Sequence, residues 1–259
     1  AHALNALIDE HDLELIHPQP DVEVKYVSKL RDKINAEHVL PSKQTVEICQ
    51  DKHRSANIWK DHGFKSIESV EISTDHIEDD VAHAFDELGP KLWFRAAHGA
   101  GGIGSTPADS MEVATNWIRY WKARGKSWTW MAQEYLPGRN IAFQSVWKDG
   151  QLITSQARER LEYIYPYLAP SGVTGTPVVA KTIHNEEVNK MAEKAVLSID
   201  ENATGVFCVD LKMDEEKEPM PTEINVGRFF TTSYFFSHAA TVKKRRWANR
   251  PWLLVKSGF

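Results

Sequence analysis

Apolar residues recur at helical spacing in several stretches of the chain and alternate with polar ones in others. Leu4, Leu7 and Ile8 share a face with His11, and Val27, Leu30 and Ile34 share another, so both stretches read as helices. Residues 13–17 (LELIH) and His38–Leu40 read as short strands, giving an α-β-α-β opening. Ser42 suits the N-cap of a helix over SKQTVEICQ, and a second helix runs from Lys52 to His62 and stops at Gly63. Ile67–Ile72 reads as a strand, and Thr74 is expected to cap a helix carrying Ile77, Val81, Phe85 and Leu88. The strand KLWFRAA (91–97) runs straight into HGAGGIGST (98–106), followed by a helix marked by Met111, Ala114, Ile118 and Trp121.

Beyond Trp128 the period changes from helix to strand. WTWMAQEYL, IAFQSVW and QLITSQARER read as antiparallel strands, the last two joined by the hairpin signal Lys148-Asp149-Gly150. A helix carrying Val188, Met191, Ala195 and Ile199 leads to GVFCVDLKM and PMPTEIN, strands separated by the polar turn DEEKE. The class is α/β (α+β), with antiparallel sheets and flanking helices, and boundaries fall near residues 47 and 128.

Composition narrows this only slightly. The 259 residues are 42% hydrophobic and 26% charged, which excludes a disordered tail, a collagen-like fibre and a disulfide-stapled miniprotein. The net charge of -5 argues against a global nucleic-acid-binding field. With two cysteines and no apolar run of ~20 residues, a reducing, cytoplasmic setting is expected and a membrane span is not. The start lacks an initiator methionine and opens inside a helix, so residues upstream are expected; no signal-peptide pattern is present.

Three segments carry chemistry. HGAGGIGST places four glycines after a strand containing Arg95, and glycine lets backbone N–H groups approach phosphate oxygens. It is neither a Walker A loop nor a Rossmann fingerprint, and a plain turn is the competing reading. In CVDLKMDEEKEPMPTEIN, Glu223 and Asn225 share a strand face and Asp210 can lie opposite them. Two carboxylates and an amide oxygen make a hard site suited to Mg²⁺, and acids among apolar strand residues need a partner. The third, MAQEYLPGRN, is an apolar strand that breaks at Pro137-Gly138; its edge can pair with a purine rim, and Glu134 or Asn140 can reach sugar hydroxyls.

In this order, the segments resemble the ATP-grasp superfamily from about residue 45 to 236. QDKHRSANIWKDHGF resembles the segment opening the nucleotide-binding region, KLWFRAAHGAGGIG the strand and flexible glycine loop, and QEYLPGRN the adenine hinge. VDLKMDEEKEPMPTEIN resembles the paired magnesium-binding strands. The flavour is that of the carbamoyl phosphate synthetase-like and carboxylate–amine ligase group, rather than that of the biotin-dependent carboxylases. The resemblance implies a partial Rossmann-like domain over 1–47, a small lobe with the glycine loop over 48–127, and a C-terminal lobe with the metal site over 128–259. It implies that Lys52 and Arg95 contact ATP, that Gly99, Gly101, Gly102 and Gly104 close over its phosphates, and that Glu134 and Leu136 meet the adenine edge. Asn140 would take the ribose, Asp210, Glu223 and Asn225 magnesium (two ions, with Mn²⁺ able to substitute), and Arg228 the transferring phosphoryl group. Arg158 and Arg160, on one side of a strand, suit a carboxylate or acyl phosphate by bidentate pairing.

The chain departs from the family pattern where Asn140 replaces the usual acid and where EINVGRF puts Arg228 one residue late. The implied activity is ATP- and Mg²⁺-dependent ligation of a small carboxylate to an amine, through an acyl phosphate, in a possible homodimer with no nucleic-acid or membrane partner. Phosphorylation of bicarbonate or carbamate, and a non-catalytic ATP-binding module, are the alternatives. His98, the loop 170–178 and the basic stretch KKRRWANR (243–250) are secondary candidates; Cys49 and Cys208 read as core residues.

Overall fold

A computed structural model describes residues 1–65, 67–97, 104–174 and 177–229. The chain opens with α1 (His2–His11), β1 (Leu15–Ile16), α2 (Asp21–Lys29) and β2 (Glu37–His38), and β1 and β2 pair in parallel. Helices α3 (Lys43–Cys49) and α4 (Lys52–Asp61) follow. Next come β3 (Ser69–Ile72), α5 (Ile77–Leu88), β4 (Leu92–Ala96), β5 (Thr106–Ala108), α6 (Met111–Ala123) and β6 (Trp130–Glu134). The four strands of that stretch form a sheet in the order β3-β6-β4-β5, covered by α5 and α6.

The remaining strands are β7 (Asn140–Lys148), β8 (Gln151–Tyr163), β9 (Pro177–Ile183), β10 (Gly205–Met213) and β11 (Pro219–Val226), with α7 (Glu186–Ile199) between β9 and β10. They form an antiparallel five-stranded sheet ordered β11-β10-β7-β8-β9. Period-two alternation sorts its two faces. Ile141, Phe143, Ala157, Phe207, Val209, Leu211, Ile224 and Val226 join one core with Val24, Val46, Trp59, Val188 and Ala195 from α2, α3, α4 and α7. The Trp59 indole N–H donates to the Ala195 carbonyl at 3.1 Å, tying α4 to α7. The residues between those apolar ones (Ala142, Gln144, Arg158, Arg160, Cys208, Asp210, Lys212, Glu223 and Asn225) therefore project from the opposite face.

Several local expectations change. Thr74 does not cap α5: the helix starts at Ile77 after His76, with Glu78, Asp79 and Asp80 in its first turn. Asp80 instead turns back and accepts the Ser73 N–H at 2.8 Å, and acids in a first turn suit the helix dipole. Ile34 lies outside α2, which ends at Lys29 and passes through a 3₁₀ turn at Arg31–Lys33. Strands β5 and β9 were not anticipated: β5 is only three residues long, and β9 follows the turn-rich stretch that begins at Pro170. Edge strand β9 keeps its exposed apolar residues Val178 and Val179. Among the described residues no helix is long and apolar enough to cross a membrane.

Candidate functional site

The site is built where the two sheets and α4 meet. Asp51 caps α4, its carboxylate accepting the His53 and Arg54 N–H groups at 3.1 Å, and this cap sets Lys52 at the first helical position. Lys52 Nζ lies 3.2 Å from Glu223 Oε2. Arg95, on β4 of the other sheet, reaches the same oxygen at 2.8 Å. Glu223 thus joins three elements distant in sequence. Burial alone would raise its carboxyl, but Lys52 and Arg95 overcome that and hold it down at about 2.

Asp210 stands directly opposite Glu223 in the β10–β11 register, and Cys208 stands opposite Asn225. A bulge follows Asp210, and Thr222 closes it by donating its hydroxyl to the Asp210 carbonyl at 3.1 Å. The Asp210 carboxylate pairs with Arg160 through Oδ1 and accepts the Asn225 amide through Oδ2 at 3.3 Å. Burial pushes the Asp210 carboxyl up, and neighbouring Glu223 adds to this against the pull of Arg160. Arg158, 3% exposed, faces the same side from β8. Burial and the charge of Arg160 lower its guanidinium to about 10.

Arg228 follows Gly227, whose φ of +75° takes the chain out of β11 into the left-handed region. A Cβ at Gly227 would meet Leu40 Cδ2 at 2.5 Å, so the residue is glycine for both space and conformation. The extra residue in EINVGRF is this turn, and it swings Arg228 back onto the Asn225 amide oxygen. The Arg228 guanidinium also pairs with Asp21 at the start of α2, 3.0 Å away. Gln144, fully buried on β7, holds the turn by donating to the Phe207 carbonyl at 3.0 Å and the Arg228 carbonyl at 3.2 Å.

The structure brings together Lys52, Arg95, Arg160, Asp210, Glu223, Asn225 and Arg228, with Arg158 on the same face. Arg160 is partnered by Asp210, a pairing the sequence reading did not foresee. Gly99, Gly101, Gly102 and His98 lie outside the described residues, as do Gly175, Thr176 and the basic stretch 243–250. Gly104 is described: it is buried with a φ of +83°, and the Trp117 indole donates to its carbonyl at 2.9 Å. Glu134 ends β6 with an exposed side chain, Leu136 is buried, and Asn140 opens β7 half-buried. Cys49 and Cys208 are buried free thiols, pushed up by burial. Gln144, Asp21, Lys212 and Trp117 were missed. The polar Gln144 inside the apolar run IAFQSVW, and Lys212 two residues from Asp210, were the readable signals.

The donor set fits a hard divalent cation. Asp210 and Glu223 share one cross-strand row, where Cβ atoms are ~5 Å apart, and Asn225 adjoins them on the same face. Two carboxylates so placed repel each other unless cations lie among them, and Lys52, Arg95 and Arg160 supply that charge.

No protein-family model matches the chain, and no curated protein does. Solved structures do. The biotin carboxylase–β-γ-ATP complex of Campylobacter jejuni superposes with a TM-score of 0.71 at 14% identity, over 95% of this chain and 56% of that one. The biotin carboxylase domain dimer of the Hydrogenobacter thermophilus 2-oxoglutarate carboxylase, in complex with MgADP, ADP and bicarbonate, gives 0.70 at 17% identity, over 90% and 52%. An L-amino acid ligase from Bacillus licheniformis gives 0.65 at 14% identity, over 92% and 55%. The chain therefore has the ATP-grasp fold, with its mixed helices and antiparallel sheets. It spans about half the length of these three chains.

Proposed function

We propose that the protein is an ATP-dependent ligase that binds Mg²⁺–ATP between its two sheets and activates a small carboxylate for attack by an amine. The observation that carries this is the meeting of Lys52 and Arg95, from separate elements, on Glu223, one residue of a paired-carboxylate row. Such an arrangement presents cations and hard oxygen donors to one polyphosphate. Asp210, Glu223 and Asn225 would hold Mg²⁺, which would neutralise charge on the transferring phosphoryl group.

The chain's own residues supply the rest. Lys52 and Arg95 exchange Glu223 for phosphate oxygens when nucleotide enters. Arg158 and Arg228 face the transferring group, one from β8 and one from the turn after β11. Arg160 keeps the Asp210 carboxylate in place. In the transfer, a carboxylate oxygen bonds to the γ-phosphorus as the bond to ADP breaks. The amine nitrogen then bonds to the acyl carbon, phosphate leaves, and the nitrogen gives up a proton. Glu134, Leu136 and Asn140 would take adenine and ribose at the hinge, and the four glycines 99, 101, 102 and 104 would lie over the phosphates. The fold neighbours include proteins described as ligases and carboxylases, and a dimer is described for the Hydrogenobacter domain. A homodimer goes with this reading and is read out by sedimentation.

The test is calorimetric titration of ATP with and without Mg²⁺, on the wild type and on the double variant Glu223→Ala, Asn225→Ala, followed by a carboxylate screen for ADP release. Mg²⁺-dependent binding that collapses in the double variant, with carboxylate-stimulated ADP release, supports the ligase. Binding without turnover on any carboxylate–amine pair, bicarbonate included, would leave only a nucleotide-binding module.

A further inference from the structure

Asp21 is the first residue of α2, directly after Pro20, and an acid there suits the helix dipole. Its place is fixed by its neighbours. The Gln50 side-chain amide, from the end of α3, donates to the Asp21 carbonyl at 3.0 Å. Val24, one turn further on, is fully buried in the core that α2 shares with β11. A Cβ at Gly227 would stand 3.1 Å from Val24 Cγ1, so α2 lies directly against the turn that carries Arg228.

The half-buried Arg228 side chain is held at two points. Its Nη2 donates to Asn225 Oδ1, and its Nε lies 3.0 Å from Asp21 Oδ1. The second contact is an ion pair without hydrogen-bond alignment, so it depends on the Asp21 charge. Among the described residues no other carboxylate lies within ion-pair distance of this guanidinium. The two holds differ in what they share with the metal row. Oδ1 is the one oxygen of the Asn225 side chain, and hence the atom through which it would bind Mg²⁺. A cation on that oxygen repels the guanidinium that now shares it. Asp21 has no part in that row, so its hold on Arg228 persists when the Asn225 hold is lost.

We infer that Asp21 is a positioning residue, whose carboxylate keeps the Arg228 guanidinium aimed at the transferring phosphoryl group when Asn225 is engaged by Mg²⁺. This rests on the proposed nucleotide site and extends it to the opening segment of the chain. An Asp21 that served only the dipole of α2, or only stitched α2 to the sheet, would change stability and leave the preference among nucleotides as it was. One that merely competed with phosphate for Arg228 would weaken binding, and its removal would tighten it.

These roles separate when ADP and the β,γ-imido analogue of ATP, each with Mg²⁺, are titrated calorimetrically against the wild type, Asp21→Asn, Asp21→Glu, Arg228→Met and the double variant Asp21→Asn, Arg228→Met, each checked by thermal melt. Of the two ligands, the analogue alone carries the group that Arg228 would face. Asp21→Asn should weaken the analogue roughly tenfold while ADP stays within about twofold. Asp21→Glu should keep most of the analogue affinity. The double variant should bind the analogue no more weakly than Arg228→Met alone, because Asp21 acts through Arg228. Equal weakening of both ligands by Asp21→Asn, no change in either, tighter binding of the analogue, or additive losses in the double variant each overturn the assignment and leave the nucleotide site intact. A folded wild type that binds neither ligand with Mg²⁺ overturns both readings.

Discussion

Replacing Glu223 by glutamine keeps the side chain's shape and removes the charge that Lys52 and Arg95 share. Those cations are only 11% and 12% exposed at their side chains, so each would face an amide with little water to compensate. Their hold on the carboxyl, from an ordinary 4.5 down to about 2, corresponds to about 3 kcal/mol at about 1.36 kcal/mol per tenfold change in proton affinity. Glu223 itself is 26% exposed, and relief of its repulsion with Asp210 offsets part of the loss. The expected net cost at pH 7 is therefore about 2 kcal/mol, or a fall in Tm of roughly 4–8 °C for a chain of this size. The sign in pH is fixed: a carboxyl whose folded pKa lies below its unfolded value stabilises fully above about 4.5 and loses that contribution as pH falls toward about 2. Urea unfolding of wild type and Glu223→Gln from pH 7 down to pH 3 measures this directly. The gap should be widest at neutral pH and narrow below about 4.5. Equal stability at pH 7, or a gap that does not change with pH, would refute the ion-pair reading.

Three further changes probe the supports of the site. Asp51→Ala removes the α4 cap and should cost about 1 kcal/mol in thermal unfolding, while raising the KM for ATP because Lys52 is no longer fixed. Gly104→Ala puts a Cβ 2.8 Å from Trp128 Cζ3 at a positive φ, and should destabilise by roughly 1–3 kcal/mol, partly restored by shrinking Trp128 to leucine. Arg158→Met removes a guanidinium whose charge burial already disfavours, so chemical denaturation should show a change of no more than about 1 kcal/mol. ADP release by the same variant should fall by roughly a hundredfold.

Local sequence was enough to find most elements and the residue types of the site. Period-two alternation in PMPTEIN puts Glu223 and Asn225 on one face, because neighbouring strand residues must point to opposite sides, and the β10–β11 register then sets Asp210 opposite Glu223. Ser42 and Gly63 marked a helix start and a helix stop for equally local reasons. The partners were not legible. Whether Glu223 meets Lys52, Arg95 or both depends on how α4 and the β3-β6-β4-β5 sheet are set against β11, and no short-range pattern encodes that. Arg160 looked like a free substrate ligand because its carboxylate lies fifty positions away on a strand separated by β7. Lys212 stands beside Asn140 only through the β10–β7 register, which no local pattern encodes. Spacing along the chain determined which side chains face the cleft. Tertiary packing determined their charges, because the pKa of a half-buried acid or base is set by neighbours within a few ångströms, and those come from elements far apart in sequence.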